Sequence, residues 1–415
     1  MPYYNWVYFV QLAIVAGVMV ILFLLVFSHT MAIIFARSHF YKKVAFEPAA
    51  VEAGLPGVSI IKPLVGIDKN VYSNLETYFR LDYPRYELLF CLESADDAVT
   101  MVVDTLMQKY PKVDTRVFTS PVRHNVNPKI NNMMQGYSAA KYDLVMVSDS
   151  GVKMRPEALM DMVWCMSQKD IGIVHQMPFI EQRPGFRNLA HSTHFGCTHA
   201  KFYISAHCLG INCCTGMSCL LRKPIIDKKP GGLAYFGRYL AEDFFVAQHF
   251  IDNGYKMTLS HYPALQDGSG EVRGLRRRLI RWLQLRVAMV PQLVVLEMLA
   301  ECLVSGAMGA WAFAFLLPSL VNPIVYLLTH CLIWLLADYT LLCSCLDPAE
   351  PLMFSRLAFM FTWLFSIGTQ PITVVRSLFH SEIVWRDKRF RLQWGGNTVE
   401  LPGLPVNLSA AKQAV

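Results

Sequence analysis

At 415 residues, 54% hydrophobic and 17% charged, the chain is more apolar than an ordinary soluble protein. Met1 to Ala36 holds no Asp, Glu, Lys or Arg, and Cys302 to Phe379 holds only Asp338, Asp347, Glu350, Arg356 and Arg376; the stretch between them has globular composition and is long enough for one α/β core. Much of the net charge of +7 lies beside the apolar segments, at Arg37, Lys42, Lys43, Arg273, Arg276 to Arg278, Arg281, Arg286, Arg386, Lys388, Arg389 and Arg391, which suits anionic lipid headgroups on the cytoplasmic side of a membrane, while no nucleic-acid motif accompanies it and nucleic acid is not an expected partner.

Val7 to Phe35 is an uncharged apolar run, longer than the ~20 residues a spanning helix needs. It lacks the basic n-region and short core of a signal peptide. It therefore reads as a signal anchor, and the basic residues after it put the next segment in the cytosol. Glu47 to Gly57 reads as a linker. Strand and helix signals then alternate: strand at Val58 to Ile61, helix at Asn70 to Arg80, strand at Tyr86 to Leu92, helix at Asp96 to Tyr110. Strand Asp114 to Thr119, helix Lys129 to Ala140 and strand Leu144 to Ser148 follow. The alternation predicts a mostly parallel sheet with flanking helices, whose ligands bind beyond the carboxyl ends of the strands.

Two acidic clusters occupy such ends. Glu93, Asp96 and Asp97 follow the second strand, and Asp149 follows the fourth. Singly, each is as well read as a turn former or helix cap. As a pair they suit a nucleotide, one holding base and ribose and the other a divalent metal on the diphosphate. Ile171 to Gln176 reads as a further strand, and Cys213 to Ser218 as a strand-edge loop. His175, His191, His194, His199 and His207 are spaced irregularly without a nearby carboxylate, which favours scattered histidines over a metal centre. Leu240 to Asp252 reads as a helix, with Glu242 and Asp243 in its first turn, where carboxylates also complement the helix dipole.

The basic run Arg276 to Trp282 opens the membrane region. Arg278 and Arg281, three apart on a predicted helix, share a face and suit a diphosphate; Trp282 suits an acceptor or the membrane interface. The same run also fits a snorkelling cluster at a membrane entry. Val287 to Leu299 reads as an interfacial helix, and Cys302 to Val321 and Ile324 to Leu346 as spans. Leu357 to Val375, interrupted by Gly368 and Pro371, reads as a re-entrant segment. The resulting division is an anchor over 1–36, a linker over 37–57, a cytosolic domain over 58–286, a membrane region over 287–380 and a basic cytosolic tail over 381–415. The eleven cysteines have no zinc-site spacing and read as free thiols in a reducing compartment. Asn407-Leu408-Ser409 is a glycosylation sequon that a cytosolic tail would leave unused.

Together these residues resemble the membrane-bound family 2-type glycosyltransferases, and within them the ceramide glucosyltransferases. The strings that carry the resemblance are Asn127-Pro128-Lys129-Ile130-Asn131-Asn132, Asp149-Ser150-Gly151, Thr215-Gly216-Met217-Ser218-Cys219, Ala241-Glu242-Asp243 and Arg278-Leu279-Ile280-Arg281-Trp282. The resemblance implies a GT-A-like nucleotide-sugar-binding domain and inverting transfer of glucose from UDP-glucose to the primary hydroxyl of ceramide, on the cytosolic face of a Golgi membrane. It assigns Asp149 to the metal, a divalent cation (Mg2+ or Mn2+), and Asp243 to the general base beside Glu242. Arg278, Arg281 and Trp282 become the diphosphate and acceptor motif. Lys129, Glu93, Asp96 and Asp97 lie toward the nucleotide, and His199 and Cys213 toward the acceptor. Where ceramide enzymes carry an aspartate two residues before the acidic pair, this chain has Ser94, and Glu93, Asp96 or Asp97 must cover that role. Arg278 stands where the wider family has glutamine. The alternatives are a related membrane glycosyltransferase acting on a polyprenyl phosphate or polysaccharide, and a non-catalytic lipid-binding relative.

Overall fold

The computed structural model describes residues 2–44, 46, 54–119, 125–379, 381–385 and 388–402. Residues 47–53 of the expected linker, Arg386 and the Asn407 sequon lie outside the described residues. The chain divides into two compact units: a helical one of Met1–Ser38, Gln182–Ser205 and Gly270–Ser381, and a sheet-containing one of His39–Glu181, Ala206–Ser269 and Glu382–Val415.

In the sheet unit, β1 (Val58–Leu64), β2 (Tyr86–Leu92), β3 (Asp114–Thr119) and β4 (Leu144–Ser148) are joined by helices, among them Val71–Phe79, Val99–Lys109 and Pro128–Ala139. After β5 (Val152–Lys153), β6 (Ile171–His175) and β7 (Pro178–Ile180) come β8 (Ser218–Arg222), β9 (Lys256–Leu259) and β10 (Ala264–Gln266). The seven-stranded sheet runs β3-β2-β1-β4-β8-β6-β9, parallel throughout except that β8 lies antiparallel to both β4 and β6. This is the expected mostly parallel sheet with flanking helices. Its strands bury both faces: Ile60, Leu88 and Met146 pack into one apolar cluster, and Ile61, Leu89 and Val145 into another. β1 runs to Leu64, three residues past its expected end, because the buried Lys62 finds partners. Its Nζ donates to the Asp149 carbonyl at 2.6 Å and lies 3.8 Å from the centre of the Tyr78 ring.

The sequence reads 381–415 as a basic tail, yet β11 (Glu382–Trp385), β12 (Lys388–Leu392) and β13 (Thr398–Leu401) form an antiparallel sheet. Phe390 is fully buried in it, Glu382 accepts from Arg389 and Arg391, and Asn397 bridges Tyr239.

In the helical unit, Pro2–His39, Pro323–Cys345 and Arg356–Leu378 are each long and apolar enough to cross a membrane. Cys302–Leu316, within the expected span Cys302 to Val321, has 15 residues and is bent by 64° against Pro291–Leu299, the two together being apolar enough for one broken span or a re-entrant loop. Arg356–Leu378, expected as a re-entrant segment, is one continuous helix with Pro371 inside it; packed membrane helices re-satisfy the backbone groups that a proline frees. Gln182–Ser205 and Gly270 to Arg286, expected within the cytosolic domain, also belong to this unit. Helices approach closely where glycine permits: a Cβ at Gly306 would lie 2.8 Å from the His330 ring. His29 pairs with Asp338 at 3.0 Å, Trp363 Nε1 donates to the other Asp338 oxygen at 2.8 Å, and Lys201 lies 4.2 Å from the Trp334 ring centre.

Candidate active site

β4 ends at Ser148, which pairs with Ser218 at the start of β8. That antiparallel register brings Asp149 beside the loop entering β8, and Asp149 N donates to Met217 O at 2.9 Å. The helix Pro128–Ala139 begins at the same place. Its cap is Asn127, whose side-chain oxygen accepts from the Lys129 and Ile130 backbone N–H groups, which is why Asn-Pro-Lys starts a helix here. The helix Glu242–Asp252 contributes Glu242 and Asp243 from its first turn.

Lys129 ties these pieces together. Its Nζ lies 2.9 Å from Asp149 Oδ1, 3.2 Å from Glu242 Oε1 and 2.7 Å from Gly216 O. The other Glu242 oxygen accepts from Asn127 Nδ2 at 2.8 Å. Asp243 Oδ2 accepts from Gly216 N at 2.5 Å and Oδ1 from Phe244 N at 2.9 Å. Gly216 has no room for a side chain: a Cβ would lie 2.9 Å from Lys129 Nζ and 3.3 Å from Asp243 Cβ.

One cation thus pairs with two carboxylates, Asp149 and Glu242, and its charge also acts on the third, Asp243. Burial would lower the Lys129 ammonium, but Asp149 and then Glu242 more than offset it, and its pKa is raised. Burial, then Glu242, pushes Asp243 up to about 6, against Lys129 and two backbone N–H groups. A half-buried carboxylate at that value suits proton abstraction near neutral pH.

The Asp149 side chain is 41% exposed, with one oxygen turned to Lys129. Mg2+ and Mn2+ use one or two protein carboxylates and take further oxygens from phosphates and water, so this residue fits such an ion. The cluster Asp161, Cys165 and His261 is the one group of metal-capable side chains found among the described residues, and its chemistry is structural. Asp161 accepts from Ser260 Oγ at 2.6 Å and the His261 backbone N–H at 2.9 Å, and its Oδ1 lies 2.6 Å from His261 Nδ1. Burial raises the Cys165 thiol, which keeps it protonated and a poor ligand.

In the loop after β2, Asp97 accepts from Gly66 N at 2.9 Å and Val99 N at 3.0 Å, as a turn and helix cap does. Asp96 is exposed and Glu93 half-buried. Ser94 Oγ accepts from Asp96 N at 3.2 Å. Cys213 is half-buried in the loop before β8, its thiol pushed up to about 12 by burial.

In the helical unit, Arg278, Arg281 and Trp282 lie on the helix Val272–Met289. The Arg278 guanidinium stacks 5.0 Å from the Trp282 ring centre and 5.3 Å from that of Phe195. His199 packs in the same aromatic patch, 5.3 Å from Phe195 and 5.2 Å from Tyr203, and burial lowers its pKa well below the usual histidine value. The sites therefore form two groups, each within its own unit. Asp149, Lys129, Glu242 and Asp243 make one, and Arg278, Trp282 and His199 the other. Sequence reasoning missed Lys62 and gave no role of their own to Asn127 and Gly216, although both stand in the strings that carry the resemblance. A lysine inside the apolar run Val58 to Leu64 was the available signal for the first.

The glycosyl transferase family 21 model matches residues 24–398. Ceramide glucosyltransferase 3 of Caenorhabditis elegans is 40% identical over 379 residues, 91% of this chain and 80% of that protein. Ceramide glucosyltransferase 1 of the same organism is 37% identical, covering 89% and 77%. The ceramide glucosyltransferase of Komagataella phaffii is 30% identical, covering 68% and 67%. Among solved structures, a mannosyltransferase from Pyrobaculum calidifontis in complex with GDP-Man and Mn2+ aligns with a TM-score of 0.47 at 14% identity, covering 88% of this chain and 96% of that one.

Proposed function

Because the chain belongs to glycosyl transferase family 21, we propose that it transfers glucose from UDP-glucose to the primary hydroxyl of ceramide, with inversion, on the cytosolic face of a Golgi-type membrane. The observation that carries this reading is Asp243, a half-buried carboxylate raised to about 6 and held beside the Lys129–Asp149 pair. The names of the relatives support the acceptor.

Asp243 takes the proton of the acceptor hydroxyl as that oxygen attacks the anomeric carbon. The bond from the anomeric carbon to the diphosphate breaks on the opposite face, and UDP leaves. One displacement needs one base and no covalent intermediate, hence inversion. Such a base contributes about 10²–10⁴-fold. Lys129 and Asn127 hold Glu242, and Lys129 fixes the Asp149 carboxylate. Asp149 is the residue that would hold Mg2+ or Mn2+, which when bound supplies positive charge to the diphosphate. Arg278 and Arg281 add charge for the leaving group, and Trp282, His199 and Cys213 serve the acceptor. Glu93, Asp96 and Asp97 serve the uridine end, with Asp97 holding its loop.

The test is to give microsomes containing the full chain labelled UDP-glucose and a short-chain ceramide. Labelled glucosylceramide that disappears in Asp243→Asn is expected. Label on a polyprenyl phosphate or a polymer overturns the acceptor, and no transfer by a folded chain overturns the activity.

A further inference from the structure

The terminal sheet β11-β12-β13 has no residue in the carboxylate cluster, yet one of its turns is joined to it. Between β12 and β13, Gln393 N donates to Asn397 O at 2.8 Å, and Asn397 pairs with Tyr239 as an antiparallel bridge. Tyr239 stands three residues before Glu242 in the chain. Its carbonyl accepts from Asn127 Nδ2 at 2.8 Å, and the same nitrogen donates to Glu242 Oε2 at 2.8 Å. The whole path from Asn397 to Glu242 lies within the sheet unit.

Asn127 is fully buried, and its polar atoms are all committed. Its N–H donates to Gly237 O at 2.8 Å, its carbonyl accepts from Asn131 N at 3.2 Å, and its Oδ1 accepts from the Lys129 and Ile130 N–H groups. Its Nδ2 serves both Tyr239 and Glu242. A carboxamide nitrogen has two hydrogens, set in one plane, so the place of the Tyr239 carbonyl decides where the hydrogen left for Glu242 points. Three contacts hold Tyr239 itself. Its N–H donates to Phe236 O at 3.1 Å, its backbone bridges Asn397, and its ring stacks on Phe245, with centroids 3.6 Å apart and planes 15° from parallel. Phe245 lies in the first turn of the helix Glu242–Asp252, so the stack grips the turn that presents Glu242 and Asp243. The bridge comes from a three-stranded sheet with Ile383 and Phe390 buried, enough strands and apolar surface to hold a shape of its own.

We propose that Tyr239 is a positioning residue through which the terminal sheet fixes the Glu242 carboxylate beside Asp243. The inference rests on the reaction proposed above and extends its machinery to the C-terminal strands. It has a consequence in pH. After burial, Glu242 is what raises Asp243 most. A Glu242 carboxylate that Asn127 no longer aims stands less firmly beside Asp243, the raising effect weakens, and the base keeps its charge to lower pH.

The experiment uses the full chain in lipid nanodiscs, with labelled UDP-glucose and a short-chain ceramide, and three variants. Tyr239→Leu removes the ring stack. Asn397→Pro puts at the bridge a residue poorly suited to a paired strand position. Both should lower kcat roughly tenfold and move the acid limb of the pH–rate profile to lower pH. Tyr239→Phe, which keeps the ring, should restore the unaltered profile. Hydrogen exchange supplies a readout independent of activity: amides of residues 125–131 should exchange faster in Tyr239→Leu and in Asn397→Pro. A fall in kcat with the acid limb unmoved, or exchange over 125–131 unchanged in both variants, overturns the proposal. Faster exchange there in a chain that transfers no glucose supports the brace while overturning the activity, so the two failures are distinguishable.

Discussion

Lys129, with a side chain 12% exposed, and Lys201, which is buried, both lie beside acidic groups, one in each unit, and their surroundings differ. Lys129 has two carboxylates and a carbonyl within 3.2 Å, and Asp149 beside it is 41% exposed. Lys201 is 2% exposed and lies over the Trp334 ring, while the Asp338 oxygens are taken by His29 and Trp363. In the sheet unit, negative charge exceeds positive and opens to solvent, so the cluster can take a proton or a cation. In the helical unit, the polar atoms are consumed by each other, which satisfies them in an apolar bundle. A buried charge cluster therefore signals chemistry when its charge is unbalanced and open, and adhesion when it is closed.

Asp243→Asn tests the first half of that contrast and should have the largest effect. Loss of the base should lower kcat by about 10²–10⁴-fold with an unchanged circular-dichroism spectrum. In the unaltered enzyme the rate should fall as pH drops through about 6, where Asp243 takes up a proton, and a pH–rate profile checks this.

Lys129→Met sharpens the contrast. It leaves Glu242 buried without its cation, a loss on the order of 3–5 kcal/mol for a buried pair, reduced here because Asp149 is partly solvated. Lys129 pulls the Asp243 pKa down, so removing it should move the acid limb of the profile to higher pH. Urea unfolding and the pH–rate profile read the two effects separately.

Asp338→Leu tests the second half. It removes the acceptor for His29 and Trp363, and each stranded buried donor costs about 1–3 kcal/mol. Thermal unfolding in detergent should show the loss, with the acid limb unmoved. A shift of that limb would break the distinction between the two clusters.

Much of this contrast was legible in the sequence, though unevenly. The edges of β2, β3 and β4 match the expected strands residue for residue; β2 and β4 are short, mostly apolar runs, and β3 is a short run rich in β-branched and aromatic residues. Asp149 and Asp243 were visible because strand ends and helix starts are local signals. β8 was not, because Cys213 to Ser218 reads as a strand-edge loop and only the pairing with β4 reveals the antiparallel insertion. Lys62 reads as a strand end until its partners, 86 and 87 residues away in sequence, are known. In the terminal sheet, the alternation of Phe390 and Leu392 with charged residues was present, but Arg389 and Arg391 read as a membrane-charge signal before their pairing with Glu382 could be seen. Pro371 reads as a helix breaker because the local rule holds for helices in water.

The smallest expected effect is at Gly216, and it asks how finely the open cluster is set. Its φ is unexceptional, so alanine meets no backbone strain; the obstacle is contact. The added Cβ would lie 2.9 Å from Lys129 Nζ, the far end of a flexible side chain, and the ammonium can yield by a few tenths of an ångström. Yielding loosens its contacts with Asp149 and Glu242 without removing them, and presses on Asp243 Cβ from 3.3 Å. Gly216→Ala should therefore lower kcat by roughly tenfold or less, the cost of a misplaced base rather than a lost one, with stability changed by about 1 kcal/mol or less. A larger fall in kcat would mean that the Gly216 N–H sets the position of Asp243 more tightly than its bond to the Phe244 N–H does.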